Sequence, residues 1–327
     1  MLNIIQKDIS SIPIVHWDAH GCPPFKIGAS LSFLNRYKKS GVDYVSLNVG
    51  FDLTTQHEAI ELLRYFRKWI TDNSKEYAIA ENIQQLIECK NQNKLCMGFD
   101  IEGSNILNNS LEMVSNFYTL GVRQLVFSYN NNNEAGGGCL DTNIGLTPFG
   151  RDLVKECNTV GMMIDCSHVS QKTSLDIIEY SEQPIIFSHS NPATLIKHPR
   201  NITDEQIIAC AKKDGVIGIN GIGIFLGNND IRTEKIVEHI DYVVQLIGSE
   251  YVGIGLDCVF DHEEIQSFID SNPKTFPEEL GFNNVAVAQP EQFSEIPELL
   301  NRRGYSERDI NNILGLNFLR VATKVWR

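Results

Sequence analysis

Short apolar segments alternate with longer amphipathic segments along the chain. Most of the short segments are continuous apolar runs, which is typical of parallel strands that are buried on both faces. The pattern predicts eight strands: Ile14–His16, Tyr44–Val49, Leu95–Ile101, Gln124–Ser128, Met162–Asp165, Ile185–Ser188, Val216–Ile219 and Val252–Leu256.

The intervening segments carry apolar residues at helical spacing. They predict seven helices: Leu31–Lys39, His57–Thr71, Ile83–Cys89, Pro148–Thr159, Gln171–Tyr180, Asp204–Lys213 and Thr233–Ile247. Regular alternation of strand and helix predicts an α/β protein, a (β/α)8 TIM-like barrel, with an open doubly wound sheet as the alternative. Two C-terminal helices, Glu291–Arg302 and Glu307–Leu314, follow the barrel. Because no linker, repeat or low-complexity segment divides the chain, we expect residues 1–327 to form a single domain.

The segment between the last strand and the C-terminal helices, Cys258 to Gln289, is unusually long. A loop of that length is uncommon unless it serves a function. Its place after a barrel strand favours a lid or a specificity element at the active-site face. An insertion without function is the alternative.

Composition and charge exclude several classes of protein. The net charge of −13 argues against nucleic-acid binding and against docking on anionic lipid, because both need clustered Lys and Arg. Met1 to Ser11 lacks a secretory-signal pattern, and no segment reaches the roughly 18 apolar residues of a membrane span. The eight cysteines form no CxxC pair. We therefore expect reduced thiols in a cytoplasmic enzyme, with an exported, processed form as the alternative.

Side chains of the kinds that bind metals recur at the predicted carboxyl ends of strands, where (β/α)8 barrels place their active sites. A single strand-end His is usually an ordinary polar residue, but three His and one Glu from four strands favour a metal site. The residues are Asp18, His20 and Cys22 after the first strand, Asp100 and Glu102 after the third, Asp165 and His168 after the fifth, His189 after the sixth and Asp257 after the eighth.

Imidazole nitrogens and carboxylate oxygens suit zinc and related divalent ions. Since a carboxylate has two oxygens, Glu102 could bridge two ions, with His20 on one side and His168 and His189 on the other. Two such ions can activate a shared water and polarise the bond that it attacks. Asp165, like Asp18, could accept a hydrogen bond from a ligand N–H group, or could cap a loop.

At these residues the sequence resembles the membrane (renal) dipeptidase family of zinc peptidases. The resemblance spans roughly residues 13–327, and its motifs stand in the family's order. The matching strings are WDAHGCPP at 17–24, FDIEGSN at 99–105, GVRQLVFSYN at 121–130, GLTPFG at 145–150, GMMIDCSHVS at 161–170, PIIFSHSN at 184–191, HPRNITD at 198–204 and GIGLD at 253–257.

The resemblance implies a (β/α)8 barrel with one or two zinc ions, held by His20, Glu102, His168 and His189. It also suggests a homodimer. Two further roles follow from it. Asp257 would handle the proton and hold the substrate's amino group, and Arg200 would pair with the substrate's carboxylate, which suits the forked guanidinium.

The chain departs from the family pattern at three places. Cys22 stands where the family has an Asp ligand, and a thiolate can also bind zinc. Tyr129 replaces a His, and its phenol can donate a hydrogen bond to a developing oxyanion. After Asp257, the family's second acid is missing. Cys22 leaves three interpretations: a metal ligand, a weakened or empty first metal site, or an inert thiol.

The sequence therefore predicts a zinc-dependent, dipeptidase-like hydrolase that cleaves dipeptides or related small amides with metal-activated water. Tyr129 and the metal would stabilise the oxyanion, and Asp257 would pass a proton to the leaving amine. One alternative is a hydrolase of another small substrate, such as an N-acyl amino acid or a lactone. The other is a catalytically weak small-peptide-binding or accessory protein, since fold resemblance alone does not establish activity.

Overall fold

The structure is a computed structural model, and it describes residues 13–327. The segment from Met1 to Ser11, on which the expectation of no secretory signal rests, lies outside the described residues. Among the described residues, no helix combines the length and the apolar character that crossing a bilayer requires.

Ten strands form one parallel sheet, and eight of them close into a barrel. The barrel order is β1, β2 and then β4 to β9, and it closes where Asp18 of β1 pairs with Ile254 of β9. This closure confirms the predicted (β/α)8 barrel. The strands are β1 Trp17–Cys22, β2 Tyr44–Phe51, β3 Tyr77–Ile79, β4 Leu95–Glu102, β5 Val122–Val126, β6 Met163–Asp165, β7 Ile186–Phe187, β8 Val216–Ile219, β9 Val252–Ile254 and β10 Cys258–Val259.

Helices connect the strands and surround the barrel. They are α1 Leu34–Lys39, α2 Gln56–Asp72, α3 Ile83–Asn91, α4 Glu112–Thr119, α5 Pro148–Val160, α6 Gln171–Tyr180, α7 Asp204–Lys212, α8 Gly223–Leu226, α9 Thr233–Ile247, α10 His262–Ser271, α11 Ile296–Arg302, α12 Glu307–Asn311 and α13 Asn317–Val325. Capping side chains in the local sequence determine where several of these helices begin. In α2, for example, the Thr55 and Glu58 side chains cap each other's backbone N–H groups.

The prediction of a first strand at Ile14–His16 is wrong. The strand is Trp17–Cys22, which carries the polar residues Asp18 and His20 inside the barrel. Apolar patterning missed it because these buried positions serve the site and not the core. The long segment 258–289 is also not a plain loop, since it contains α10.

An aromatic cluster fills the amino-terminal end of the barrel. Trp17 and Tyr44 begin β1 and β2, and their ring centroids lie 3.9 Å apart. Phe318 of α13 and Trp326 pack on Trp17 from the C-terminal segment. This cluster closes the base, while the larger hydrophobic core lies between the strands and the surrounding helices. Polar residues occupy the carboxyl ends of the strands.

Two glycines let the end of β7 lie close against its neighbours. A Cβ added at Gly218 would stand 1.9 Å from the Ser188 carbonyl oxygen, and one added at Gly255 would stand 2.0 Å from the same atom. Any side chain there would push this backbone aside. Because His189 follows Ser188 directly, these glycines also set the position of the His189 ring.

Gly255→Ala should therefore destabilise the protein by about 1–3 kcal/mol, the usual cost of overpacking a dense interior. Denaturant unfolding measures this free energy. Gly304→Ala is the control, because its added Cβ meets no atom within 4 Å, although its φ of +88° still disfavours alanine by about 1 kcal/mol. An unfolding free energy of Gly255→Ala within about 0.5 kcal/mol of wild type would show that this contact relaxes freely.

Candidate metal centre

Three buried histidines from three strand ends meet around one buried carboxylate, Glu102. Its Oε1 lies 3.0 Å from His168 Nε2 and 3.2 Å from His189 Nε2. Its Oε2 lies 3.7 Å from His20 Nε2. The two oxygens thus face different histidines, so the predicted convergence of these side chains is confirmed. Their assignment as metal ligands stays a prediction.

Hydrogen bonds set the tautomer of His189. Its Nδ1 lies 2.6 Å from Ser188 Oγ, and this hydroxyl donates in turn to Asp165. Since the hydroxyl proton goes to the carboxylate, Nδ1 carries the imidazole proton and donates it to Oγ. The Nε2 atom of His189 therefore presents a lone pair toward Glu102.

The same reasoning applies to His168. Its Nδ1 lies 2.8 Å from Asn130 Oδ1, and Asn130 Nδ2 donates to the Thr275 carbonyl, which fixes the orientation of the amide. Arg200 Nε also lies 3.2 Å from His168 Nδ1. Because Oδ1 can only accept and lies closer, we place the proton between His168 and Asn130. His168 Nε2 then also presents a lone pair to the cluster.

The donor set fits a divalent cation. The Nε2 atoms of His168 and His189 lie 3.0 Å apart, and burial lowers the pKa of both imidazoles well below the usual value. Within residues 13–327, Glu102 Oε1 has no hydrogen-bond partner. Two ligand atoms bound to one tetrahedral zinc lie about 3.3 Å apart, given bonds of about 2.0–2.1 Å. When Glu102 is ionised, three acceptors face one another at this spacing, and they repel one another unless a cation lies among them.

His20 joins a second group of donors with Cys22 and Asp257. Its Nε2 lies 3.5 Å from Cys22 Sγ and 3.6 Å from Asp257 Oδ1. On the other side of the ring, Nδ1 lies 3.1 Å from Asp100 Oδ1. Burial opposes protonation of His20, but the carboxylates of Asp100 and Glu102 outweigh it and raise its pKa well above the usual value.

The cluster holds more buried acid than the surrounding cations balance. Burial raises the pKa of Glu102 to about 8, and Asp100 and Asp257 add to the rise. Burial likewise raises the pKa of Asp18 to about 7. A bound divalent cation would favour the ionised carboxylate and would therefore lower the pKa of Glu102.

Cys22 lies within the donor group that also contains His20 and Asp257. Cys22 Sγ donates a hydrogen bond to Asp257 Oδ1 at 3.4 Å. Burial and the neighbouring Asp257 raise the pKa of the thiol above its usual value. Cys22 is therefore placed to contact an ion bound by His20.

A cavity of about 780 Å³ opens onto the cluster. Tyr129, Arg200 and Asp257 all line it, as predicted for residues that contact substrate. The Tyr129 ring stacks on His168 with centroids 4.2 Å apart. Residues of α10 form the outer wall, so the long segment after the barrel does lie at the site.

Arg200 is 2% exposed, and its guanidinium donates to Ser190 Oγ and to the His189 carbonyl, each at 3.1 Å. None of the described Asp or Glu side chains lies within ion-pair distance of it. A buried guanidinium on a cavity wall without a carboxylate partner can bind an anionic group from the cavity.

Two residues of the site adopt a left-handed backbone conformation that side chains disfavour. The φ angle is 65° at His168 and 58° at Asp257. Such strain costs about 1–2 kcal/mol per residue, and it persists where the surrounding structure holds it for function.

Sequence reasoning missed Asn130, Asn220 and Asp52, which orient the site. Asn220 Nδ2 donates to Asp257 Oδ2 at 3.0 Å. Asp52 accepts from the Tyr129 N–H at 2.9 Å. Asp52 follows the end of β2 directly, so the strand-end pattern that singled out Asp100 could have found it. The asparagines carry no comparable signal, since they act through folded loops.

Together, the barrel and its donor cluster define a metal-dependent hydrolase of the barrel class. The model of the membrane dipeptidase family, peptidase family M19, matches residues 52–326. The chain belongs to this family, so the resemblance noted in the sequence is confirmed.

Individual relatives agree with the family match. The chain is 30% identical to the "uncharacterized protein in pqqA 5′ region" of Klebsiella pneumoniae, covering 81% of this chain and 95% of the relative. It is 28% identical to dipeptidase tcpJ of Claviceps purpurea, covering 82% of this chain but only 59% of that longer protein. A solved amidohydrolase from Pseudomonas aeruginosa superposes with a TM-score of 0.87 at 27% identity, covering 95% and 96% of the two chains.

Ser188→Ala should lower metal affinity about 10- to 100-fold, because His189 loses the acceptor that fixes its tautomer. Calorimetric titration of metal-free protein with zinc measures this. The matched control is Ser174→Ala, a buried serine of α6 that hydrogen-bonds within the helix layer. Equal affinity for wild type and Ser188→Ala would mean that Ser188 does not orient the ring.

Proposed function

We propose that the protein is a zinc-dependent dipeptidase with two metal positions that share Glu102. The observation that carries this proposal is the pair of donor groups on opposite oxygens of one buried carboxylate. His168 and His189 face Oε1, while His20 faces Oε2. A carboxylate bridge between two ions is typical of hydrolases that cleave acyl bonds with water.

The bound ions would supply Lewis acidity and a water of lowered pKa. The protein's own residues do the rest. Glu102, His168, His189 and His20 would hold the ions. The hydrogen bonds that His189 donates to Ser188 and His168 donates to Asn130 leave the Nε2 atoms of both rings free to bind. The substrate approaches from the 780 Å³ cavity.

Two charged residues suit the two ends of a dipeptide. Arg200 would bind the terminal carboxylate, since its guanidinium has no carboxylate partner in the described chain. Asp257 would bind the amino group with Oδ1, while Asn220 holds Oδ2 in place. A pair of opposite charges on one cavity selects a small zwitterion.

Tyr129 lies beside the same cluster and lines the cavity. Burial raises the pKa of its phenol well above the usual value, so the hydroxyl stays protonated and can donate to a developing oxyanion. Asp257 is the acid that borders both the cluster and the cavity. We propose that it accepts a proton from the attacking water and passes this proton to the leaving amine.

The alternatives fit the cavity less well. N-acyl amino acids and lactones lack the free amino group that Asp257 would bind. The alternative of a catalytically weak protein rests on the Cys22 thiol in the donor group, and substitution of Cys22 tests it.

The test of the function is hydrolysis of a dipeptide library together with metal analysis of the purified protein. We expect cleavage that a chelator abolishes and that added zinc restores, with two ions per chain. Tight binding of dipeptides without turnover would instead identify a small-peptide-binding protein.

Arg200→Lys should raise KM for free-carboxylate dipeptides about 10- to 100-fold, because a charged bidentate contact is lost. Amidated dipeptides should change little. Steady-state kinetics on both substrate types makes the measurement, with Arg123→Lys as the matched control, since Arg123 is buried near the barrel base and bonds to the Glu81 carbonyl. If both substrate types suffer equally, Arg200 has a structural role.

Cys22→Asp should raise either metal occupancy or the zinc-dependent hydrolysis rate, because a carboxylate donates less electron density than a thiolate and leaves the ion more acidic. Metal analysis and kcat on the same preparation measure both quantities. Cys22→Ala is the companion variant, and it should lose metal if the thiol is a ligand. Unchanged metal content and unchanged rate in both variants would make Cys22 a bystander.

A further inference from the structure

A second cavity of about 580 Å³ lies beside the active-site cavity. Three residues line both cavities: Cys22, Val259 and Ile265. The two spaces therefore adjoin at the end of β1, at β10 and at α10. This volume lies within the range of small-ligand sites.

Three phenylalanine rings line the second cavity. The Phe51 ring lies edge-on to Phe25, with centroids 5.3 Å apart, and edge-on to Phe268, with centroids 5.0 Å apart. Phe51 also lies 5.3 Å from the ring of Tyr129, which lines the active-site cavity. One aromatic cluster thus runs from the second cavity to the site of reaction.

The acidic residues of the second cavity already have partners. Glu264 accepts from the Phe25 N–H at 2.9 Å, and Asp261 accepts from the Glu264 N–H at 2.9 Å. Glu58 accepts from the Thr55 N–H at 2.8 Å. Glu61, the remaining acid of the lining, pairs with Arg64. Lys26 and His57 also line the cavity, but most of its lining residues are apolar, so it suits an apolar group.

The residues that line both cavities indicate which end of a substrate would reach the second cavity. Cys22 contacts Asp257 at 3.4 Å, whereas Arg200 contacts His168 and the His189 carbonyl and does not line the second cavity. In the proposed dipeptidase, Asp257 binds the amino group and Arg200 the carboxylate. The second cavity is therefore adjacent to the amino-terminal residue.

We propose that the second cavity binds the side chain of the substrate's amino-terminal residue and selects large apolar groups, aromatic ones above all. This inference rests on the proposed dipeptidase function and names its substrate class. Phe25, Phe51 and Phe268 are the specificity-determining residues, and they take no part in the chemistry.

Burial of a phenylalanine side chain in this cavity stabilises the bound substrate. We therefore expect kcat/KM for Phe-Ala to exceed that for Ala-Ala about 10- to 100-fold. The isomer Ala-Phe, which places the ring at the carboxyl end, should gain little. Comparing these three dipeptides on the metal-loaded, full-length protein tests the direction as well as the size of the preference.

Leu53→Trp fills the cavity without touching the metal cluster. Leu53 lines the second cavity only and is 47% exposed, so the larger side chain can be accommodated in the fold. We expect kcat/KM for Phe-Ala to fall at least about tenfold, with Ala-Ala unchanged. Phe268→Ala, which removes one aromatic wall, should give the same selective loss. Ile144→Trp is the matched control, because Ile144 is 39% exposed and lines neither cavity.

An equal loss for Phe-Ala and Ala-Ala in both variants would overturn the inference, as would a wild-type preference for Ala-Phe. If no dipeptide is cleaved, the proposed function fails. Calorimetric measurement of the affinity for the same dipeptides then tests the role of the second cavity independently. Tighter binding of Phe-Ala than of Ala-Phe, lost in Leu53→Trp, would support it. Equal affinities would reject it.

Discussion

One buried carboxylate, Glu102, is the constraint on which the site depends. Its Oε1 lies within 3.2 Å of two imidazole nitrogens that carry lone pairs, so the three atoms repel one another when the carboxyl is ionised. A packed protein interior tolerates an ionised carboxylate in this position only with a partner of opposite charge. The metal-dependent chemistry of the family thus follows from the way that strand ends force acceptors together.

The rest of the fold holds this unfavourable arrangement in place. Aromatic packing of Trp17, Tyr44 and Phe318 secures the base of the barrel, while glycines allow the backbone near His189 to approach its neighbours. His168 keeps a left-handed φ of 65°. The core between strands and helices and the aromatic cluster at the base stabilise the barrel, while the carboxyl ends of the strands carry the strain and the buried charge.

The sequence was most informative where chemistry and chain position coincide. His20, Glu102, His168 and His189 were found because metal-binding types recurred after apolar strands, and the resemblance supplied Arg200, which no local pattern distinguishes. The strand at Trp17–Cys22 was misplaced because its buried residues are polar. Asn130 and Asn220 were invisible because their roles depend on amide orientation in folded loops. The second cavity could not be predicted either, since its walls come from segments far apart in the chain.

The central claim is that two metal positions share Glu102. Anomalous scattering at the zinc edge, from crystals of the zinc-loaded protein, tests it most directly. The account predicts two peaks about 3.5–4 Å apart, one near His168 and His189 and the other near His20, with Glu102 between them. Data of good quality that show no peak within bonding distance of Glu102 would contradict it.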